Sequence, residues 1–291
     1  MSKLACIFKA LRLPACVIIQ LPLLLGYTLA FPHQQEWHIY SLLIFIGCID
    51  QIYICFSNDV ADIEADKINN SRTFYSGGST ALIHYPAWQT AFGYVTYLSA
   101  TVLFILGVMI SFVLKNMVIG IFFAAMLFLP VLYHHPYFRW SYKSRGELLQ
   151  AVGTGVILPV LAYIICQPAS TPPLDWVPSQ FAAYFASALS TTFPDQTADR
   201  QVNKKTFVVR LGEGVTCGMM FGLMVTGLCM APNTYPQLTA LYATLCGLLI
   251  AISLTVQDKL TRIFRDITCG LSGPLVSLIW ILTLKGVYSS S

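Results

Sequence analysis

Two acidic groupings in this 291-residue chain share one spacing. The first runs Asn58-Asp59-Val60-Ala61-Asp62-Ile63-Glu64-Ala65-Asp66. The second runs Asp195-Gln196-Thr197-Ala198-Asp199, followed by Arg200, Lys204, Lys205 and Arg210. Residues four apart stack on one face of a helix. Asn58, Asp62 and Asp66 therefore form one expected oxygen ladder, and Asp195 and Asp199 another. Carboxylates held this close repel one another unless a cation joins them, and the cost rises at membrane depth. Hard oxygen ligands on a partly open site suit Mg2+ that also takes phosphate oxygens. These residue types in this pattern point to diphosphate chemistry inside a membrane.

The elements that must position them follow from composition. Hydrophobic residues make up 56% of the chain and charged ones 10%, with a mean hydropathy of +0.67, which excludes an ordinary soluble domain. A bilayer core takes roughly 20 apolar residues per helical span. Windows of that length predict spans at 13–31, 37–57, 87–111, 116–133, 148–166, 177–194, 214–231, 236–256 and 268–287. The expected fold is an all-α integral membrane protein with nine transmembrane helices. It forms two four-helix halves plus one helix, in a single domain over residues 1–291.

Charge placement tests that topology. Of the 17 Lys and Arg residues, all but Lys115 and Lys285 fall on one side of a nine-span chain. The positive-inside rule makes that side cytoplasmic, with the N-terminus inside. Both acidic groupings then lie on the cytoplasmic face, at the ends of the second and sixth spans. The net charge of +4 is read as topology plus anion binding, since no basic helix or aromatic-basic repeat suggests nucleic acid. Lys3, Lys9 and Arg12 precede the first span without a convincing cleavage site. The nine cysteines show no C-x-x-C pairing and read as buried thiols, neither a disulfide framework nor a zinc site.

The paired N-D-x-x-D-x-x-x-D and D-x-x-x-D patterns resemble those of the UbiA superfamily of intramembrane prenyltransferases. The nine-helix topology with both motifs on the cytoplasmic side is similar to that family's as well. The resemblance implies transfer of a prenyl group from an allylic diphosphate to an acceptor, usually aromatic, within the lipid bilayer. Finer stretches resemble the branch that prenylates 1,4-dihydroxy-2-naphthoate in menaquinone synthesis. They are Ser76-Gly77-Gly78-Ser79, then Tyr133-His134-His135-Pro136 with Arg139, Tyr142, Lys143, Arg145, Gly146 and Glu147, and Lys204-Lys205-Thr206-Phe207-Val208-Val209-Arg210-Leu211-Gly212. Asp66 followed by Arg72-Thr73 looks more like the 4-hydroxybenzoate branch. A terpene cyclase of the same superfamily would use the same metal site and quench the cation internally. A transporter would carry its acids at mid-membrane in broken helices, whereas both groupings here sit at helix ends beside basic loops.

Each candidate residue has an expected role. Asn58, Asp62 and Asp66 would hold one Mg2+ and Asp195 and Asp199 a second. Arg72, Lys143, Arg145, Lys204 and Lys205 would grip phosphate oxygens. Tyr53, Phe56 or Tyr142 would face the allylic cation with their rings. Asp59 either supports the ladder or joins it, Glu64 points to solvent, and Arg12 lies within reach. Asp50, alone on an apolar helix, either touches the acceptor or is a neutral acid bonded across helices. His134 and His135 are expected to pack at a span end, and Gly77-Gly78 to supply a turn.

Overall fold

The computed structural model describes residues 3–31, 36–69, 78–256 and 258–289. In chain order the helices are α1 (Lys3–Leu11), α2 (Leu13–Ala30), α3 (Trp37–Ala61), α4 (Ile63–Ile68), α5 (Ala81–His84), α6 (Gln89–Val113), α7 (Met117–His134) and α8 (Gly146–Val152). They continue with α9 (Leu158–Cys166), α10 (Val177–Ser190), α11 (Gln196–Gln201), α12 (Phe207–Leu211), α13 (Glu213–Met230), α14 (Pro236–Val256), α15 (Lys259–Gly270) and α16 (Ser272–Ser289). No β-strand occurs among the described residues. Seven helical stretches are long and apolar enough to cross a membrane: Trp37–Ala61, Pro86–Val113, Met117–His134, Gly146–Cys166, Glu213–Met230, Pro236–Val256 and Lys259–Gly286. The expected spans at 13–31 and 177–194 are occupied by α2, whose apolar part is Ile18–Ala30, and by the 14-residue α10.

The described residues fall into two compact units. One takes those within 3–69, 78–140 and 157–172. The other takes 141–156 and 173–289. The chain passes from one to the other inside a single apolar stretch, at a π-helical turn spanning Gly153–Ile157 that joins α8 to α9.

In the first unit α3 packs on α2 and α6, α6 on α7, and α2 on α9. Helices buried in lipid gain little from apolar contact with each other, so small residues that allow close approach decide where they meet. A Cβ on Gly26 of α2 would run into the Pro159 carbonyl of α9, and one on Gly107 of α6 would meet the Phe123 side chain of α7 at 2.7 Å. The α6–α7 turn is closed by Lys115 in the left-handed region at φ 51°. Asn116 then caps α7, its side-chain oxygen accepting from the Val118 N–H at 2.9 Å.

In the second unit α10 is the centre, packed by α8, α13, α15 and α16. Its sequence is too polar for a lipid-facing helix, and the polar groups turn out to bind its neighbours. Ser272 donates to the Ala183 carbonyl at 2.9 Å, Trp280 Nε1 to Ser179 Oγ at 2.8 Å and Ser277 to Gln180 Oε1 at 2.8 Å. Ser187 donates to the Gly270 carbonyl. The serines and glutamine that interrupt the apolar pattern are therefore interhelical bonds.

The basic stretch between the last two expected spans is the helix α15. Asp258 starts it, accepting from the Thr261 N–H and hydroxyl, each at 2.8 Å, and Leu260, Ile263, Phe264 and Ile267 recur at helical spacing. The acidic groupings do not continue long helices. Asp62 is the C-cap of α3, and Asp195 precedes the separate short helix α11.

Replacing Gly26 with Val should force α2 away from the Pro159 carbonyl and cost about 1–3 kcal/mol. A thermal melt in detergent is expected to show a lower midpoint for Gly26→Val than for the wild type, and equal midpoints would contradict this packing.

Candidate functional site

The first acidic grouping is built on the break between α3 and α4. Asp62 interrupts the helix, yet its N–H still donates to the Asn58 carbonyl at 2.9 Å, and the Asp66 N–H donates to the Asp62 carbonyl at 2.8 Å. The four-residue ladder therefore survives the break. Asp62 is half-buried and Asp66 buried. Gly78 lies against Asp66 with φ 68°, and a Cβ there would collide with the Asp66 carboxylate. Both its conformation and its room demand glycine. Arg72, Ser76 and Gly77 lie outside the described residues.

Asp59 is tied to two neighbouring segments. Arg12, at the joint between α1 and α2, donates to its Oδ1 at 2.9 Å, and the Ser79 N–H donates to the same oxygen at 3.4 Å. Burial opposes the Arg12 charge, but the surrounding groups, Asp59 foremost, together outweigh it and raise the guanidinium pKa above its ordinary value. Asp59 Oδ2 is buried with no hydrogen-bond partner among the described residues. Glu64 is exposed.

The second grouping repeats the pattern in its own unit. The Asp199 N–H donates to the Asp195 carbonyl at 2.8 Å, Asp195 is half-buried and Asp199 buried. The Lys204 N–H donates to the Asp199 carbonyl at 2.8 Å. Lys204 is buried too, with Nζ 3.8 Å from Asp199 Oδ1 and 5.8 Å from the centre of the Tyr142 ring. Lys143, Arg145, Lys205 and Arg210 are exposed. Lys143 and Lys205 face each other across an isolated backbone bridge.

The three aromatic candidates have structural work of their own. Tyr142 lies beneath the Lys204 ammonium. Phe56 packs on Phe92 at 4.5 Å within a buried apolar cluster, and Tyr53 donates its hydroxyl to the Leu127 carbonyl at 2.9 Å. Asp50 is buried, and its Oδ1 has no hydrogen-bond partner among the described residues. Nearby Gln51 turns to Cys55, at 2.9 Å. His134 is half-buried at the end of α7 and His135 exposed.

Among the described residues no group of three acidic, His or Cys side chains is close enough to enclose a metal. Mg2+ takes one or two carboxylates and completes its shell with water and substrate phosphate. The donor sets here are all oxygen and partly open, and the carboxylate of Asp66 is cradled by Gly78. The residues fit the ion.

One residue that sequence reasoning counted only as topology supports the second grouping. Arg265 is 1% exposed. It donates to Glu213 Oε1 at 2.6 Å, Asp266 Oδ1 at 2.8 Å and Ser253 Oγ at 3.2 Å. Its guanidinium lies 4.3 Å from the ring centre of Phe193, two residues before Asp195. Only the adjacent acid Asp266 hinted at this in the sequence. Removing one partner from a buried ionic network typically costs 3–5 kcal/mol. Arg265→Met should thus lower stability by about 3 kcal/mol, and Arg265→Lys should recover part of it, since a lysine lacks the planar fork. Unchanged melting of the Met variant would refute the assignment.

Comparison with known proteins places these observations. The model of the UbiA prenyltransferase family matches residues 19–269. Comparison with curated proteins gives no match. Among solved structures, the apo UbiA homologue of Aeropyrum pernix K1 superposes with a TM-score of 0.55 at 14% identity, covering 91% of this chain and 96% of that one. The UbiA homologue of Archaeoglobus fulgidus bound to GPP and Mg2+ gives 0.54 at 15% identity, over 99% and 100%. A digeranylgeranylglyceryl phosphate synthase structure gives 0.52 at 15%, over 98% and 100%. The structural likeness is one of fold, and the family match spans most of the sequence: the chain belongs to the UbiA prenyltransferase family.

Proposed function

We propose that this protein transfers a prenyl group from an allylic diphosphate to an aromatic acceptor within the membrane, with Mg2+ as cofactor. The observation that carries the reading is the repeated acid pair. Each has a four-residue spacing preserved by a backbone hydrogen bond, with one acid half-buried and one buried. The homologues crystallised with GPP or DMAPP and Mg2+ support the ligand class.

Asn58, Asp62 and Asp66 hold one ion, and Asp195 and Asp199 the other. Bound Mg2+ supplies Lewis-acid neutralisation of the charge on the departing diphosphate. Arg72, Lys143, Arg145, Lys204 and Lys205 grip the remaining phosphate oxygens, Arg by a bidentate fork and Lys as a point charge. The apolar helices keep water from the allylic cation. Counting α2 and α10 with the seven stretches gives nine crossings, with the N-terminus and the acidic groupings cytoplasmic. Residues 1–291 act as one prenyltransferase domain.

For the acceptor we favour 1,4-dihydroxy-2-naphthoate, and hence menaquinone synthesis. The support is the stretches around Tyr133–Glu147 and Lys204–Gly212. The Asp66…Arg72-Thr73 run favours 4-hydroxybenzoate as the second reading. A detergent assay with geranylgeranyl diphosphate and Mg2+, run with each acceptor and with none, tests both. A prenylated, decarboxylated naphthol is expected. Diphosphate release with a hydrocarbon product and no acceptor would instead identify a cyclase. Asp62→Ala and Asp195→Ala should each lower turnover at least about 100-fold, the scale seen when one electrostatic group is removed from an active site. Both variants should still insert and purify, and wild-type turnover in either would overturn the metal assignment.

A further inference from the structure

The cations assigned above to the diphosphate stand on two segments of the second unit that are far apart in sequence. Lys143 and Arg145 lie before α8, and Lys204 and Lys205 lie before α12. Like charges on two loops repel, so something other than the cations must hold the loops together. Three ties do so. The Lys205 N–H donates to the Tyr142 carbonyl at 3.3 Å. Ser144 Oγ donates to the Lys205 carbonyl at 2.6 Å. The Phe207 N–H donates to Glu147 Oε1 at 2.9 Å.

The third tie is unlike the other two. Thr206 occupies the N-cap of α12, where its own hydroxyl would ordinarily accept a backbone N–H. Its Oγ1 is instead buried without a partner among the described residues. The carboxylate of Glu147, from 60 residues away, accepts the first N–H of this helix, that of Phe207. Glu147 is 2% exposed, and a buried carboxylate is costly unless cations surround it. The cation whose charge acts on it is Lys204, one of those assigned to the diphosphate. The loops also hold Ser144 at φ 53° and Asn203 at φ 57°, left-handed conformations that need external ties to persist.

We infer that Glu147 is a positioning residue for diphosphate binding: through the Phe207 N–H it fixes the Lys204-Lys205 segment against the Lys143-Arg145 segment, so that their cations meet the substrate already assembled. This rests on the reading that these cations bind the diphosphate. Preassembly lowers the ordering cost of binding, so its loss should appear in KM for the diphosphate and hardly in kcat.

The experiment compares the purified full chain with Glu147→Gln, Glu147→Ala and Lys205→Ala, varying geranylgeranyl diphosphate at fixed, saturating Mg2+ and acceptor. The amide oxygen of Gln still accepts the Phe207 N–H, so KM should stay within about twofold of wild type. Ala removes the bond, and KM should rise about tenfold, the effect of losing one hydrogen bond to a charged group, with kcat within about threefold. If the Ala variant fails to insert, Ser144→Ala removes the neighbouring tie and carries the same KM prediction. A raised KM in Lys205→Ala with wild-type KM in Glu147→Ala would overturn the inference and leave the diphosphate reading standing. An unchanged KM in Lys205→Ala would overturn that reading, and the inference with it. Equal damage from Gln and Ala, or a loss confined to kcat, would also overturn the positioning role.

Discussion

A charge inside a greasy helical protein survives only beside its opposite, because burying an unpaired ion costs several kcal/mol even after the surroundings relax. This constraint organises both units. In the first, Asp59 takes Arg12. In the second, Asp199 takes Lys204, while Glu213 and Asp266 share Arg265. Two of these pairs end on acids within the two groupings assigned to metal, and the Arg265 network touches the segment leading into the second. The protein thus spends part of its small stock of cations on holding its own carboxylates. Lys143, Arg145 and Lys205 are exposed.

Packing among the helices obeys a second consequence of the same solvent. Lipid is as apolar as leucine, so greasiness alone does not tell one helix which neighbour to choose. Selection here comes from close approach and from hydrogen bonds. Gly26 lets α2 meet α9, and a Cβ on Gly227 of α13 would come within 2.9 Å of the Ser179 carbonyl on α10. The bonds of Ser179, Gln180, Ala183 and Ser187 then fasten α10 to residues 270–280. A helix only 14 residues long can hold the centre of its unit because its polar atoms are satisfied by protein.

This explains what was legible in the sequence and what was not. Long apolar runs announce themselves, and the ends of α3, α7 and α14 lie close to the expected boundaries. The family, too, was readable, since its signature lies in local spacings such as Asp62–Asp66. Interactions across distance were not. Arg265 and Glu213 are 52 residues apart, and a charge count that places Arg265 on one side of the membrane is silent about its partner. The same count hid α15, because a helix rich in Lys and Arg looks like a loop until its apolar positions are placed on one stripe. Asp50 has two readings in the sequence, and in the fold its Oδ1 is buried without a hydrogen-bond partner among the described residues.

The two acid pairs share a design that follows from competing demands on a carboxylate. A buried acid is held still by packing and backbone bonds, and loses fewer conformations when it takes up a ligand. A half-exposed acid keeps access to water, which Mg2+ gives up reluctantly. Asp66 and Asp199 meet the first demand, and Asp62 and Asp195 the second. The backbone hydrogen bond that joins the members of each pair sets their separation, so neither acid must be found by diffusion of a loop. A continuous helix would also give the spacing, but it would bury or expose both acids according to its face alone. Breaking the chain at Asp62, and starting α11 after Asp195, keeps the spacing while allowing the two acids of each pair to differ in burial.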